Sequence, residues 1–224
     1  MRVQLLMNKV AQSISDRGVM STVALAVGHM LSKPKPDAFD AKRGTDTGEI
    51  ISLWKLKIDS PRASDGIHYQ TSPAEAITDA LCCVGGDTSR VTFVDLGCGK
   101  GRPMIIASEL GFRRVIGVEF APELVAIANR NFQCLGLSAI AYCGDAAEFK
   151  FPEEPMVVFL FHPFGPDVLA KVIDNLRGHA VRVVYMNPKY ADVIDRADFL
   201  APIDTRQLGL KMWKSVDEQP KRKT

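Results

Sequence analysis

The sequence predicts an α/β protein with a mostly parallel sheet and helices on both of its faces. Three observations carry that reading. Short apolar runs at residues 91–94, 115–118 and 156–161, with a further strand at 181–186, alternate with stretches of helical periodicity, the order that builds βαβ units. The run at 156–161, MVVFLF, is apolar without a break, as expected of a strand buried on both faces. Residues 91–119, VTFVDLGCGKGRPMIIASELGFRRVIGVE, read as strand, glycine loop, helix, strand and acid. Such a unit binds a nucleotide-like ligand at the carboxyl ends of its strands.

The elements follow in order. Residues 2–15 place Val3, Leu6, Met7, Val10 and Ile14 at helical spacing,. After Gly18 a more apolar stretch, 19–31, is too short and too interrupted to span a bilayer,. The two are expected to be helices packed on the domain or on a second copy. A weak amphipathic contact with a membrane surface is the sharper alternative. No signal-peptide cleavage pattern is evident. Lys33-Pro-Lys-Pro36 marks a linker,, so residues 1–36 form an N-terminal helical extension. Residues 37–73 read as an irregular arm with at most a short strand at 50–53. Phe39, Trp54 and Tyr69 anchor it, and a loop of that length is expected to be functional, lying over the ligand site.

Ser72-Pro73-Ala-Glu75 is a helix start with a Ser cap and Pro at the first helical position,. Ile77, Ala80, Leu81 and Val84 form the inner face of that helix, and Gly85-Gly86 ends it. Pro122 opens a later helix with Leu124, Val125, Ile127, Ala128 and Phe132 inward, before a third strand at 137–142. Another helix buries Val168, Leu169, Val172, Ile173 and Leu176, and residues 199–216 supply two further strands. The domain so defined covers residues 74–218, and 219–224 is a basic tail.

With 224 residues, the chain fits one α/β domain with an extension,. A net charge of +2 gives no case for a nucleic-acid partner,. Five cysteines, odd in number and without metal-type spacing, point to reduced thiols in a cytoplasm and to no metal site,.

The loop chemistry narrows the ligand. Gly97, Gly99 and Gly101 follow G-x-G-x-G rather than the G-x-G-x-x-G of dinucleotide enzymes,. Asp95 precedes the first glycine, where a loop that holds a pyrophosphate gains nothing from it and a ligand with a cationic amino group and a sulfonium would gain. Glu119 follows Gly97 at about the 20-residue distance of a ribose-binding acid. The pattern Asp95-Leu-Gly-Cys-Gly-Lys-Gly101 resembles motif I of class I S-adenosylmethionine (SAM) dependent methyltransferases, and the likeness extends over most of residues 67–216. It implies a Rossmann-like, seven-stranded fold and SAM as cofactor. It also implies that Gly97, Cys98, Gly99 and Gly101 face the amino-acid part of SAM, with Asp95 near its amino group. Glu119 would take the ribose hydroxyls and Phe120 would lie beside the adenine. Asp145, followed by Ala146, would receive the adenine amino group. The arm, with Gly44-Thr-Asp-Thr-Gly48 and Tyr69-Gln-Thr-Ser-Pro73, is similar to the leader of bacterial methyltransferase-domain proteins of undefined substrate. That likeness places Tyr69 and Thr71 close to SAM, although Tyr69 equally fits ordinary packing.

The fourth strand ends at Phe161-His162-Pro163-Phe164, where amine methyltransferases often carry Asn or Asp, Pro-Pro and an aromatic. This departure speaks against a nucleobase or glutamine amine as target, while Phe164 is expected to wall the transfer site. His162 reads either as a general base, with an ordinary pKa of about 6.5, or as a hydrogen-bonded strand end. His68 is a weaker candidate; His29 and His179 have no constellation around them. The expected function is methyl transfer to a protein side chain or small molecule. The alternatives are a non-catalytic interaction module on the same fold and, against the glycine spacing, a nicotinamide oxidoreductase.

Overall fold

The computed structural model of the protein describes residues 38–48, 73–161, 163–205 and 207–216. The expected helices at 2–31, the short strand at 50–53, the basic tail, His68, Tyr69, Thr71 and His162 lie outside the described residues. The chain runs α1 (Ala38–Arg43), α2 (Ala74–Cys82), β1 (Thr92–Leu96), α3 (Arg102–Glu109), β2 (Arg114–Glu119), α4 (Pro122–Cys134) and β3 (Ile140–Cys143). It continues with β4 (Met156–Phe161), α5 (Pro166–Asn175), β5 (Val181–Met186), α6 (Ala191–Asp195), β6 (Leu200–Ile203) and β7 (Leu210–Ser215). The seven strands form one sheet in the order β3-β2-β1-β4-β5-β7-β6. Its first five strands are parallel, and β7 runs antiparallel to both β5 and β6.

Alternation along the strands divides the core. Phe93, Val157, Phe159 and Val184 pack with α2, α3 and α4 on one face. Val94, Leu96, Val158, Leu160, Val183 and Tyr185 pack with α5 and α6 on the other. Burying both faces of β4 is what makes it a continuous apolar run,. Strand order reverses direction between β1 and β4, so the loops leaving these strands diverge and open a crevice at their carboxyl ends,.

The expected boundaries shift in four places. β1 extends through Leu96, so Asp95 lies within the ladder, opposite Gly117 and Phe159, rather than ending the strand. The third strand begins at Ile140, not Leu137. The Gly136 N–H donates to the Gln133 carbonyl and the Leu137 N–H to the Phe132 carbonyl, with Gly136 at φ 62°. That is a Schellman closure, and it consumes Leu137 in ending α4. The arm is not irregular from its start, since Ala38–Arg43 is helical. Pro73 occupies the cap of α2 rather than its first turn. Pro122 sits where expected, at the start of α4, and Pro166 opens α5 in the same way, at positions that need no N–H,.

One sheet position is fixed by space rather than by turning. A Cβ on Gly117 would lie 2.5 Å from Met104 Sδ, 2.6 Å from Cys98 Sγ and 2.8 Å from Cys98 Cβ. Gly117→Ala should therefore cost about 1–3 kcal/mol through overpacking. Urea unfolding tests this, and a wild-type midpoint would show that α3 can withdraw freely from the sheet.

Candidate functional site

The crevice is built from the ends of β1, β2 and β3 and the loops that follow them. After β1 the chain turns through Gly97 at φ 79°, Gly99 at 53° and Gly101 at 86° before entering α3. Backbone conformations of that kind suit glycine, and two of the three positions are also too close to their neighbours for a side chain. A Cβ on Gly97 would meet Pro163 Cβ at 2.4 Å, and one on Gly101 would meet the Phe132 ring at 2.5 Å. The Gly97 and Cys98 N–H groups both donate to the Val118 carbonyl, at 2.8 and 3.1 Å, which folds the loop over the end of β2.

Glu119 ends β2 and is 5% exposed. Its Oε2 accepts the Gly99 N–H and its Oε1 the Ala121 N–H, each at 3.0 Å. Burial pushes its carboxyl pKa up, and the N–H groups of Ala121, Gly99 and Phe120 work against that rise. Asp95 is more exceptional. It is 2% exposed, and its Oδ2 is buried with no hydrogen-bond partner among the described residues. Burial pushes its pKa well above the ordinary carboxylate range, and the negative charge of Glu119 pushes it further. A buried polar atom without a partner is costly, so this pair stores a demand for a cation or donor.

Asp145 follows β3, where the Gly144 N–H donates to the Glu119 carbonyl at 3.0 Å and so holds the two strand ends together. Its Oδ1 accepts the Ala147 N–H at 2.8 Å, capping a short 3₁₀ turn that opens at Ala146. Phe120 is half-buried next to Glu119, and its carbonyl lies 3.8 Å from the Cys143 thiol. The structure thus brings Asp95, Gly97, Gly99, Gly101, Glu119, Phe120, Asp145 and Ala146 to one end of the sheet.

Two candidates have side chains packed into the interior. The Cys98 side chain is buried against Gly117 and Met104, leaving its main chain as the part available to a ligand. Burial pushes its thiol pKa well up, with Asp95 and Glu119 adding to the effect, so it is a packing thiol rather than a nucleophile. Phe164 is 8% exposed and belongs to the apolar cluster that holds Leu160 and Val168.

Sequence reasoning missed a polar group behind the loop. Lys100 and Arg102, within and just after the glycine loop, are buried, and so is Asn131 on α4. They meet Asp46, Thr47 and Asp40 of the arm. Asn131 could have been noticed, because it lies on the inward stripe of α4 beside Ala128 and Phe132, where a polar side chain must find partners,.

Comparison with known proteins bears on this arrangement. Residues 93–181 match the family described as a methyltransferase domain. The chain carries a class I methyltransferase domain. SAM is the methyl donor of that family. Over 104 residues the chain is 33% identical to the ribosomal protein L11 methyltransferase of Tolumonas auensis, a match covering 45% of this chain and 34% of that protein. The matched region thus spans about a third of that relative's length. A putative RNA methyltransferase from Pyrococcus horikoshii superposes with a TM-score of 0.54 at 20% identity, covering 74% of this chain and 95% of that one. A second protein of that organism gives 0.52 at 15% identity, covering 63% and 89%. Both share the fold. No described helix is long and apolar enough to cross a membrane.

The methyltransferase domain should show the cost of its buried acid. A carboxyl whose pKa is raised by folding favours the folded state below the ordinary carboxylate range and loses that contribution as pH rises through the raised value. Asp95→Asn should therefore stabilise the ligand-free protein at pH 8, by about 0.5–2 kcal/mol. It should also flatten the fall in stability between pH 5 and pH 8. Urea unfolding across that range is the check, and a variant less stable than wild type with the same pH slope would contradict it.

Proposed function

We propose that this protein transfers the methyl group of SAM to a nucleophilic atom of a protein side chain or a small molecule. The observation that carries the reading is the buried Oδ2 of Asp95, without a hydrogen-bond partner among the described residues, on the strand next to buried Glu119. Two carboxylates out of water favour a ligand bearing positive charge. A nicotinamide dinucleotide would bring its pyrophosphate against both.

In this reading Asp95 faces the ammonium of SAM. Glu119 offers its remaining lone pairs to the ribose hydroxyls, and the glycine loop lets main chain approach the amino-acid part. Phe120 lies along the adenine, and Asp145 with Ala146 meets its amino edge. When bound, SAM supplies a methyl group already activated by its sulfonium, so the chemistry is direct displacement. The chain's own task is to hold the acceptor in line and exclude water. His162 would take the acceptor's proton, while Phe164 would edge the site. Tyr69 and Thr71 would close the arm over it.

The acceptor is argued from two features. The similarity to a ribosomal protein L11 methyltransferase supports a protein side chain. The net charge of +2 supports an acceptor other than a nucleic acid,.

Calorimetric titration tests the reading. SAM and S-adenosylhomocysteine should bind with micromolar affinity and NADH should not. Glu119→Ala should weaken both adenosyl ligands at least about tenfold, since hydrogen bonds to a charged group contribute roughly 1.5–3 kcal/mol each. Unchanged affinity in the folded variant would sink the placement of Glu119. No binding of either ligand by the wild-type protein would favour a non-catalytic interaction module.

A further inference from the structure

Residues 38–48 are fastened to the back of the glycine loop by a polar cluster whose inner members, Asp40, Thr47, Lys100, Arg102 and Asn131, are buried, while Asp46 stays partly exposed. Asn131, 5% exposed on α4, is its junction. Its Nδ2 donates to the carbonyl of Lys100 at 3.1 Å and to that of Asp46 at 3.0 Å, while its Oδ1 accepts the Asp46 N–H at 3.0 Å. The Lys100 side chain is 0% exposed, and its Nζ lies 2.7 Å from Asp46 Oδ1. Arg102 opens α3, and its Nε donates to Thr47 Oγ1 at 2.8 Å. Asp40 gathers the Thr47 N–H, the Thr47 hydroxyl and the Thr45 hydroxyl at 2.7–2.9 Å. At the outer edge, Arg43 forms a two-pronged pair with Glu109 at 2.7 and 2.8 Å, with its guanidinium over the Phe39 ring.

Burying a lysine and an arginine is an expensive way to gain stability, since apolar residues of similar volume often serve as well or better. What a hydrogen-bonded cluster adds is a fixed geometry. The loop needs that here: Gly99 and Gly101 flank Lys100 in left-handed conformations, and glycine backbone is the least self-ordered. Lys100 is thus the point at which the loop is held from behind, while Gly99 presents its N–H to Glu119 on the ligand side.

We infer that residues 38–48 are a positioning element of the cofactor site. By gripping Lys100 and Arg102 they hold the glycine loop in its binding shape, so docking of this segment and binding of the adenosyl ligand favour each other. The inference rests on the SAM-binding reading given above. Coupling between two such events is reciprocal: if the docked segment raises ligand affinity, the ligand must hold the segment down.

The test uses the outer ion pair, which is partly exposed and whose Glu109 ends α3, at the opposite end of that helix from Gly101. Arg43→Glu and Glu109→Arg should each weaken S-adenosylhomocysteine binding by about fivefold, the low end of typical coupling. The double exchange should restore most of the affinity. In the wild-type protein, saturating S-adenosylhomocysteine should slow hydrogen exchange at the Asp46 and Thr47 amides, which bond to Asn131 and Asp40. A merely structural segment would show neither rescue nor ligand-dependent protection. Unchanged affinity in both single variants, with exchange indifferent to ligand, would overturn the inference while leaving the cofactor reading intact. If the wild-type protein fails to bind S-adenosylhomocysteine at all, the cofactor reading fails and takes this inference with it.

Discussion

Two carboxylates buried on adjacent strands set the terms for the rest of this structure. Asp95 lies one residue before the carboxyl end of β1 and Glu119 ends β2, beside the position where the strand order reverses and the sheet opens a crevice. Water would ordinarily solvate both charges, and here it is excluded from both. Glu119 is compensated by main-chain N–H groups from the glycine loop and from the start of α4. Asp95 has one oxygen left without a donor among the described residues. A fold that keeps such a group accepts lower stability in exchange for affinity toward whatever satisfies it. A ligand carrying an ammonium group is the simplest match in charge and size.

The glycine loop between these acids is held in place from several directions. Pro163, from the loop after β4, packs where a side chain on Gly97 would lie. Phe132 of α4 fills the corresponding space at Gly101. Behind the loop, Asn131 joins the Lys100 carbonyl to the main chain of Asp46. The loop therefore gains from packing and from long-range hydrogen bonds the definition that its own glycines lack. The arm contributes to this before any closing motion over a ligand is considered, because its first described stretch is part of the loop's support.

Much of this was legible in the sequence, for local reasons. β4 is an apolar run whose burial on both faces leaves a pattern that reads directly, and the proline opening α4 marks its helix for steric reasons. The order of Asp95, Glu119 and Asp145 along the chain could be read as three strand ends because alternating elements place successive carboxyl ends on one edge of a parallel sheet. Leu137 could not be placed by periodicity, because an apolar residue fits equally well in a strand or in the hydrophobic closure of a helix. The pairing of Asp46 with Lys100 and of Asp46 with Asn131 joins residues far apart in the chain. Single polar residues in turns carry no local sign of a partner that only the completed fold supplies. The packing of Cys98 against Gly117 was hidden for a related reason: the small residue that makes room for it lies on the neighbouring strand.

The most direct test of the central claim is a proton count. Binding of S-adenosylhomocysteine should be followed by calorimetry at mildly acidic pH in buffers of differing ionisation enthalpy, for the wild-type protein and for Asp95→Asn. If the ligand's ammonium answers the buried Asp95, its arrival favours the ionised carboxylate and the wild-type protein releases protons on binding, whereas the variant releases fewer and binds more weakly. Equal affinity and equal proton release in the two proteins would contradict the account and leave the buried acid without the partner assigned to it here.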